Sequence, residues 1–471
     1  MDNETLLRDI SDYCQRVGMA ESTFGRLAVN DGKLVSRLRF GGKVTTATVG
    51  RVHAFIGNGG GRGGIAGARH GTDGAAAPPA ATMTALPAAA PGTELGAARN
   101  FRFYDNRQKY LLFVTTCGEK WVVAQRVGLE LANIHPRPPA VRLFDAGVGD
   151  GTVLARVMRA MHDRFATMPF YIVGKEISLE DVRLALEKMP DRLYEHPATV
   201  LIMTNMYYSE APWLTPNSVT SATSLVWHDV GLLGSTAHDF ERQITELHPF
   251  LAEHWRAKAS QTTGNPLYEK PVVLVLYRED HKFLLDQVRP RRGAARADFD
   301  LVIASQPYRA RASVEFKAKK VIAPLARSLG PGGRLIAIHS HGHDPGLEII
   351  QRIWPGENPF TTNRHQILRA TKAELGSAGR LLNFGAYADA RSLFRYDMHT
   401  LPTEISESIG TSTLFAAWNA TIYVAQIEDQ RLSEVINSGA YLQATKDVLQ
   451  RHGGLWFWDE SYVISRKRDS D

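Results

Sequence analysis

Cysteine is nearly absent from this chain: two residues in 471, Cys14 and Cys117. Two thiols so far apart build neither a disulfide framework nor a four-thiolate zinc site. Long apolar runs are missing as well. No stretch reaches the ~18 residues that crossing a bilayer requires. The opening MDNETLLRDI carries acids where a signal peptide has its apolar segment. The expectation is a cytoplasmic protein with no membrane partner. Also lacking is a strong excess of one charge: 55 Lys and Arg face 49 Asp and Glu, a net +6. That permits an anionic partner without demanding one. What remains is ordinary globular composition, 44% hydrophobic and 22% charged, in a chain long enough for roughly two to four domains.

Charge is scarcest in residues 57–98, a run of Gly, Ala and Pro. Such a segment cannot bury enough apolar surface to offset its ordering entropy, so it reads as a flexible linker. It divides a small unit, 1–56, from a large one, 99–471. The small unit reads as all helix. Leu6, Ile10, Tyr13 and Val17 share one face, and Phe24, Leu27 and Ala28 share the next. After an Asn-Asp turn come Leu34 and Leu38, then a last helix with Val49, Val52, Phe55 and Ile56 inward. This pattern resembles the repressor type of helix-turn-helix. Residues 21–56 hold six Lys or Arg against two acids. The resemblance implies a DNA partner reached through Lys33, Ser36, Arg37, Arg39 and Lys43, cations for phosphates and polar groups for base edges. A docking or homodimerisation module with a solvated basic face fits the same residues.

In the large unit, apolar runs alternate with helical patterns: VRLFDAG, FYIVGKE, ATVLIMTN, TSLVWHDV, PVVLVLY, DFDLVIAS and GRLIAIHS. Alternation of this kind predicts an α/β fold, a doubly wound, mostly parallel sheet of seven strands. Two segments compete to be the fourth strand, SLVWHDV and DFDLVIAS. The second is favoured because it runs through a long helix and a GPGG turn into the next strand. The first then belongs to an insertion near 210–298. STLFAAWNATIYVAQI, further on, alternates enough to read as a strand, and the aromatic C-terminal GGLWFWDESYVISRKR reads as terminal strand.

The stretch VRLFDAGVGDGTVLARV, residues 141–157, reads as strand, glycine turn and helix. A dinucleotide fingerprint needs a third glycine where Thr152 stands. The spacing Asp145, Gly147, Gly149, Gly151 instead resembles the first motif of the class I S-adenosylmethionine-dependent methyltransferases. The resemblance covers roughly residues 110–345 and implies S-adenosyl-L-methionine as cofactor. It places Asp145, Ala146, Gly147, Val148, Gly149 and Gly151 around the ligand's amino-acid tail, with loop amides lining it. Glu176, at the end of the next strand, would take the ribose hydroxyls. Asn205, at the end of the third, would meet the adenine.

SQPY, residues 305–308, keeps three of four features of the loop by which nitrogen-directed members of that family hold an amino group. Ser305 and Tyr308 are therefore candidates to position the acceptor, Tyr308 by stacking on a planar base. His339, at a strand end, is a candidate base. His341, His343 and Asp344 follow at alternating positions, a weaker hint of a metal site. His228 and Asp229 are a comparable pair. Three readings stay open: a methyltransferase of a nucleic-acid amino nitrogen, one of a small molecule or protein, and a regulator that binds the cofactor without turnover.

Overall fold

The structure is a computed structural model. It describes residues 3–17, 21–29, 31, 34–39, 44, 46–57, 107–261, 265–402 and 409–468. The chain divides into two compact units, Met1–Gly92 and Thr93–Asp471. The predicted linker, apart from Gly57 at a helix end, lies outside the described residues.

The first unit has four described helices: α1 (Asn3–Val17), α2 (Glu21–Val29), α3 (Leu34–Arg39) and α4 (Thr46–Gly57). They close around Leu6, Ile10, Tyr13, Phe24, Leu34, Leu38 and Val52. Phe24 meets the rings of Tyr13 and Phe55 edge-on, at 5.5 and 5.3 Å between centroids. The predicted inner face is thus largely the observed one, with the Leu27 side chain outside the described residues. Val17 departs from it: at the last residue of α1 it is 48% exposed.

The second unit opens with α5 (Arg107–Thr116) and α6 (Glu119–Leu131). Twelve strands follow in chain order among the described residues: β1 (Val141–Asp145), β2 (Phe170–Lys175), β3 (Thr199–Thr204), β4 (Val226–Leu232), β5 (Ala257–Ala259), β6 (Pro266–Tyr268), β7 (Val272–Arg278), β8 (Phe299–Ser305), β9 (Leu329–Ser340), β10 (Leu382–Gly385), β11 (Leu393–Asp397) and β12 (Trp456–Arg466). β5 and β6 form a separate hairpin. The others make one ten-stranded sheet, ordered β10-β12-β9-β8-β1-β2-β3-β7-β4, with β11 also on β12.

The fold class is the expected one, and the sheet is larger than the expected seven strands. The central five, β3-β2-β1-β8-β9, are parallel. They are Val, Ile and Leu runs buried on both faces, as covered parallel strands require. β8 lies beside β1, so DFDLVIAS is the strand after the crossover and SLVWHDV, as β4, is the far edge. β7 runs antiparallel to β3, and β12 runs antiparallel between β9 and β10. Side-chain alternation feeds two cores. Leu143, Ile172 and Leu301 pack with Val123 and Val127 of α6 on one face. Phe144, Tyr171 and Val302 pack with Val321, Leu325 and Ile367 on the other.

Residues 411–424 are a helix, Thr411–Val424, where the sequence suggested a strand. Leu414, Ala417, Trp418, Ala420, Thr421, Ile422 and Val424 are all buried. From Ala417 to Val424 the helix has no exposed side chain, so this part shows no 3.6-residue polar stripe, and its β-branched and aromatic residues imitate strand composition.

Candidate functional site

The order of the sheet reverses between β1 and β8, and open α/β sheets bind ligands at the carboxyl ends of strands at such a reversal. The turn after β1 lies there. Gly149 (φ +55°) and Gly151 (φ +81°) adopt left-handed backbone, and Gly151 opens α7 (Thr152–Arg164). The two glycines at the ends of the motif serve different ends. A Cβ at Gly151 would stand 2.6 Å from Cα of Ala185 in α8 (Leu179–Glu187), so this glycine lets two helices approach. A Cβ at Gly147 would meet nothing nearer than the Ser305 carbonyl at 4.0 Å.

The loop amides do not line an open cradle, contrary to the expectation. Ala146 N donates to the Ile303 carbonyl (2.9 Å), Val148 N to Lys175 (3.1 Å) and Gly151 N to Val148 (3.1 Å). Gly147 N donates to Asp145 Oδ1 (3.3 Å), Gly149 N to Glu176 Oε2 (2.9 Å) and Asp150 N to the Tyr110 hydroxyl (3.1 Å). The free acceptors are side-chain oxygens. Asp145 is 1% exposed, and its Oδ2 is buried with no hydrogen-bond partner among the described residues. Burial, despite the Gly147 amide and Lys120, pushes its carboxyl up to about 7. Ser305 Oγ, two positions beyond the β8 residue that pairs with Asp145, is likewise buried and unbonded among the described residues. Glu176 is tied to the loop: Oε2 on Gly149 N, Oε1 on the amides of Ile177 and Ser178.

Residues that the motifs did not single out complete the surroundings. α5 covers the turn through Tyr110, whose ring lies 5.9 Å from Tyr423 of the 411–424 helix. α6 brings Glu119 and Lys120, 3.2 Å apart. Gln306 holds left-handed backbone (φ +47°), rare for a non-glycine. Its amide donates to Glu119 (3.3 Å) and to Asp459 of β12 (3.2 Å), and its oxygen accepts from Ser340 N (3.2 Å). Burial, with Glu119 nearby, drives the Asp459 carboxyl well above its usual range. Three of the four peptide segments meeting here are more than 100 residues apart, so only the polar residue type could have hinted at the network.

The structure places the remaining candidates as follows. Asn205 has both ends of its amide engaged within the protein: its Nδ2 donates to the Lys270 carbonyl (2.9 Å) and its Oδ1 accepts from Val272 N (2.8 Å), stapling the end of β3 to the start of β7. Tyr308 offers no platform for a base. It is 6% exposed, with its hydroxyl 3.2 Å from that of Tyr462 and its face toward Lys317 Nζ at 5.2 Å. His339 is buried with Nε2 3.2 Å from Glu460, close enough to pair but off the hydrogen-bonding line. His341 and His343 lie past the end of β9 and do not share its face, while Asp344 caps the helix Pro345–Ile353. No group of three metal-ligating side chains gathers among the described residues. His228 sits on the edge strand against Phe250, and Asp229 accepts from Trp227.

Of the proposed DNA contacts, Lys33, Lys43 and the side chains of Ser36 and Arg37 lie outside the described residues. Arg39 is exposed and pairs with Glu21 at 2.7 Å.

No family model matches the chain, and no curated protein does. Among solved structures, it is similar to a geranyl diphosphate methyltransferase in complex with GPP and sinefungin: 12% identity over 73% of this chain and 77% of that one, TM-score 0.28. It is also similar to phosphoethanolamine N-methyltransferase 2 of Haemonchus contortus, at 12% identity, 78% and 60% coverage and TM-score 0.27. The chain thus spans less than two thirds of that enzyme. A third is the [4+2]-cyclase SpnF, at 13% identity, 74% and 80% coverage and TM-score 0.26. Likeness of this degree carries no statement about what this chain does.

Proposed function

We propose that residues 93–471 form an S-adenosylmethionine-dependent methyltransferase. The observation that carries this reading is Asp145: a buried carboxylate with one unpaired oxygen, at the carboxyl end of β1 beside an unobstructed Gly147. A carboxylate so placed suits an ammonium or other cationic ligand, which would relieve the cost of its burial. Glu176 stands one strand away and can exchange its Gly149 amide for ribose hydroxyls. When bound, the cofactor supplies a methyl group on a sulfonium, an electrophile that asks of the protein chiefly alignment and dryness. Tyr110, Tyr423 and the Glu119–Gln306–Asp459 network cover that end of the sheet and would limit water there. Ser305 Oγ has hydrogen-bonding capacity to spare for holding an acceptor.

The enclosed Tyr308 favours a small-molecule acceptor over a nucleic-acid base, which would need an accessible ring to stack on. For the first unit we propose DNA binding, supported by the basic excess of residues 21–56 around α3. Its signature is an affinity that falls steeply with salt; binding that ignores salt counts against it.

Calorimetric titration of S-adenosylmethionine, and separately of a nicotinamide dinucleotide, into the full chain tests the main reading. Binding of the first alone supports it. Binding of neither reduces it to a resemblance of fold.

A further inference from the structure

β4 ends the ten-stranded sheet, so one side of it has no strand beside it among the described residues. Val226 N donates to the Pro271 carbonyl (3.0 Å) at the head of β7. In a parallel pair alternate residues turn amide and carbonyl to the same neighbour. Val226, His228 and Val230 therefore face β7, and Trp227, Asp229 and Gly231 aim theirs outward. Every residue of β7 is buried, whereas in β4 only Leu232 is. Just past β4 the row is closed, because the Gln243 side chain takes both the amide and the carbonyl of Leu233, at 2.9 and 2.7 Å. Proteins commonly blunt such an edge with Pro, Lys, a bulge or a very short strand. β4 has neither Pro nor Lys, and it pairs with β7 without a bulge over seven residues.

Large apolar side chains stand in water at both ends of this edge. Leu232 lies beside Arg278, so Leu233 and the pair Phe283–Leu284 follow the same end of the two strands. Phe283 is 98% exposed, and Leu233 and Leu284 are more than half exposed. Val219 is exposed in the helix Val219–Thr223 that leads into the other end. The strand's own sequence identifies the partner. Antiparallel pairing about a two-fold axis sets side chains of one face opposite each other, so the axis passes through a residue. Centred on Asp229, it would oppose two carboxylates, which is unfavourable. Centred on His228, it sets Trp227 opposite Asp229 of the second copy and Val226 opposite Val230. His228 then meets its own copy, and two uncharged imidazoles can share a hydrogen bond. The Trp227 indole already donates to Asp229 within the chain at 3.2 Å, so donor and acceptor stand together on the outer strand. Trp227 and Asp229 also have the outward amides and carbonyls that an antiparallel hydrogen-bonded pair exchanges. Their opposed directions bring the Leu233 end of one copy to the Thr223 end of the other, where Val219 stands.

We propose that β4 is a dimer interface: two copies of this chain join edge to edge, antiparallel about His228, into one continuous sheet. The interface does not depend on the methyltransferase reading.

Sedimentation velocity of the full chain over a range of concentrations tests this. A reversible monomer–dimer equilibrium is expected, and a monomer at every concentration overturns the proposal. Trp227→Glu sets a carboxylate opposite Asp229 twice across the axis and should weaken dimerisation by about tenfold or more. Adding Asp229→Lys to that variant turns the opposed pair attractive and should restore the dimer. A dimer that survives Trp227→Glu, as one joined through the first unit would, overturns the proposal. So does a folded double variant that stays monomeric. Should the variants not fold, hydrogen exchange of the natural chain decides. The amides of Trp227, Asp229 and Gly231 should exchange more slowly in concentrated than in dilute protein, while those of Val226, His228 and Val230, bonded to β7 in either state, change less. Exchange at Trp227, Asp229 and Gly231 that is the same in monomer and dimer overturns the proposal.

Discussion

Gly147 and Gly151 belong to one motif and serve different purposes, which paired substitutions can expose. Gly151→Ala puts a methyl group into α8 at a left-handed residue, and should cost roughly 2–4 kcal/mol in denaturant unfolding. Gly147→Val places its Cβ no nearer than 4.0 Å to the Ser305 carbonyl, so the fold should keep its midpoint while S-adenosylmethionine affinity is lost. Equal destabilisation by both would mean that the whole turn is structural. Asp145 gives a pH signature. Its carboxyl is raised to about 7 from an ordinary 3.8. Between those values the folded chain holds a proton that the unfolded chain has released, so stability falls as pH rises through the window and stays lowered above it. Asp145→Asn should therefore overtake the natural chain as pH climbs, by ~2–4 kcal/mol at pH ~8. Cofactor affinity should strengthen toward pH ~8 only where the aspartate is present. Curves for the two chains that run parallel from pH ~4 to ~8 would show that Asp145 is ionised throughout.

The motif was legible in the sequence because its demands are local: left-handed turns and a strand-end acid are properties of a few adjacent residues. Element-scale relations were not. Asn205 occupies the position where the resemblance places an adenine contact, but its partners, Lys270 and Val272, come from a strand 65 residues on that the family pattern does not predict. Asn205→Ala should lower stability by about 1–3 kcal/mol, since it strips a buried amide of its acceptor, and leave cofactor affinity as it was. A selective loss of affinity would restore the original reading. α5 and α6 escaped for a related reason. Their value lies in covering the turn with Tyr110 and supplying Glu119 to Gln306, and neither leaves a spacing signal. The 411–424 helix was misread because burial of its second half on all sides erases the periodicity by which helices are recognised.

At the scale of the whole molecule, the alternation of strands and helices sufficed to place the chain in its fold class, and the additions at both edges did not show. Nothing in SLVWHDV or PVVLVLY says that β7 turns against β3, or that β4 then follows β7 in parallel. β12 contributes Asp459 and Glu460 to the site from the interior of the sheet. A chain ending before Gly454 should thus lose both acids and the cooperative unfolding of the second unit, seen as a broadened calorimetric transition. A sharp transition retained without β12 would make that strand an accessory.

The place of β12 also has a bearing on how the protein is made. Among the described residues, β10 and β11 pair in the sheet only with β12, which leaves the ribosome after both of them. Synthesis adds ~5–20 residues per second. For the several seconds between residue 385 and residue 466, a nascent chain exposes the open side of β9 and two strands with no neighbour to receive them. The first unit can finish its core long before then. The second has to wait for β12, and during that wait its unpaired edges are exposed to pairing with other chains.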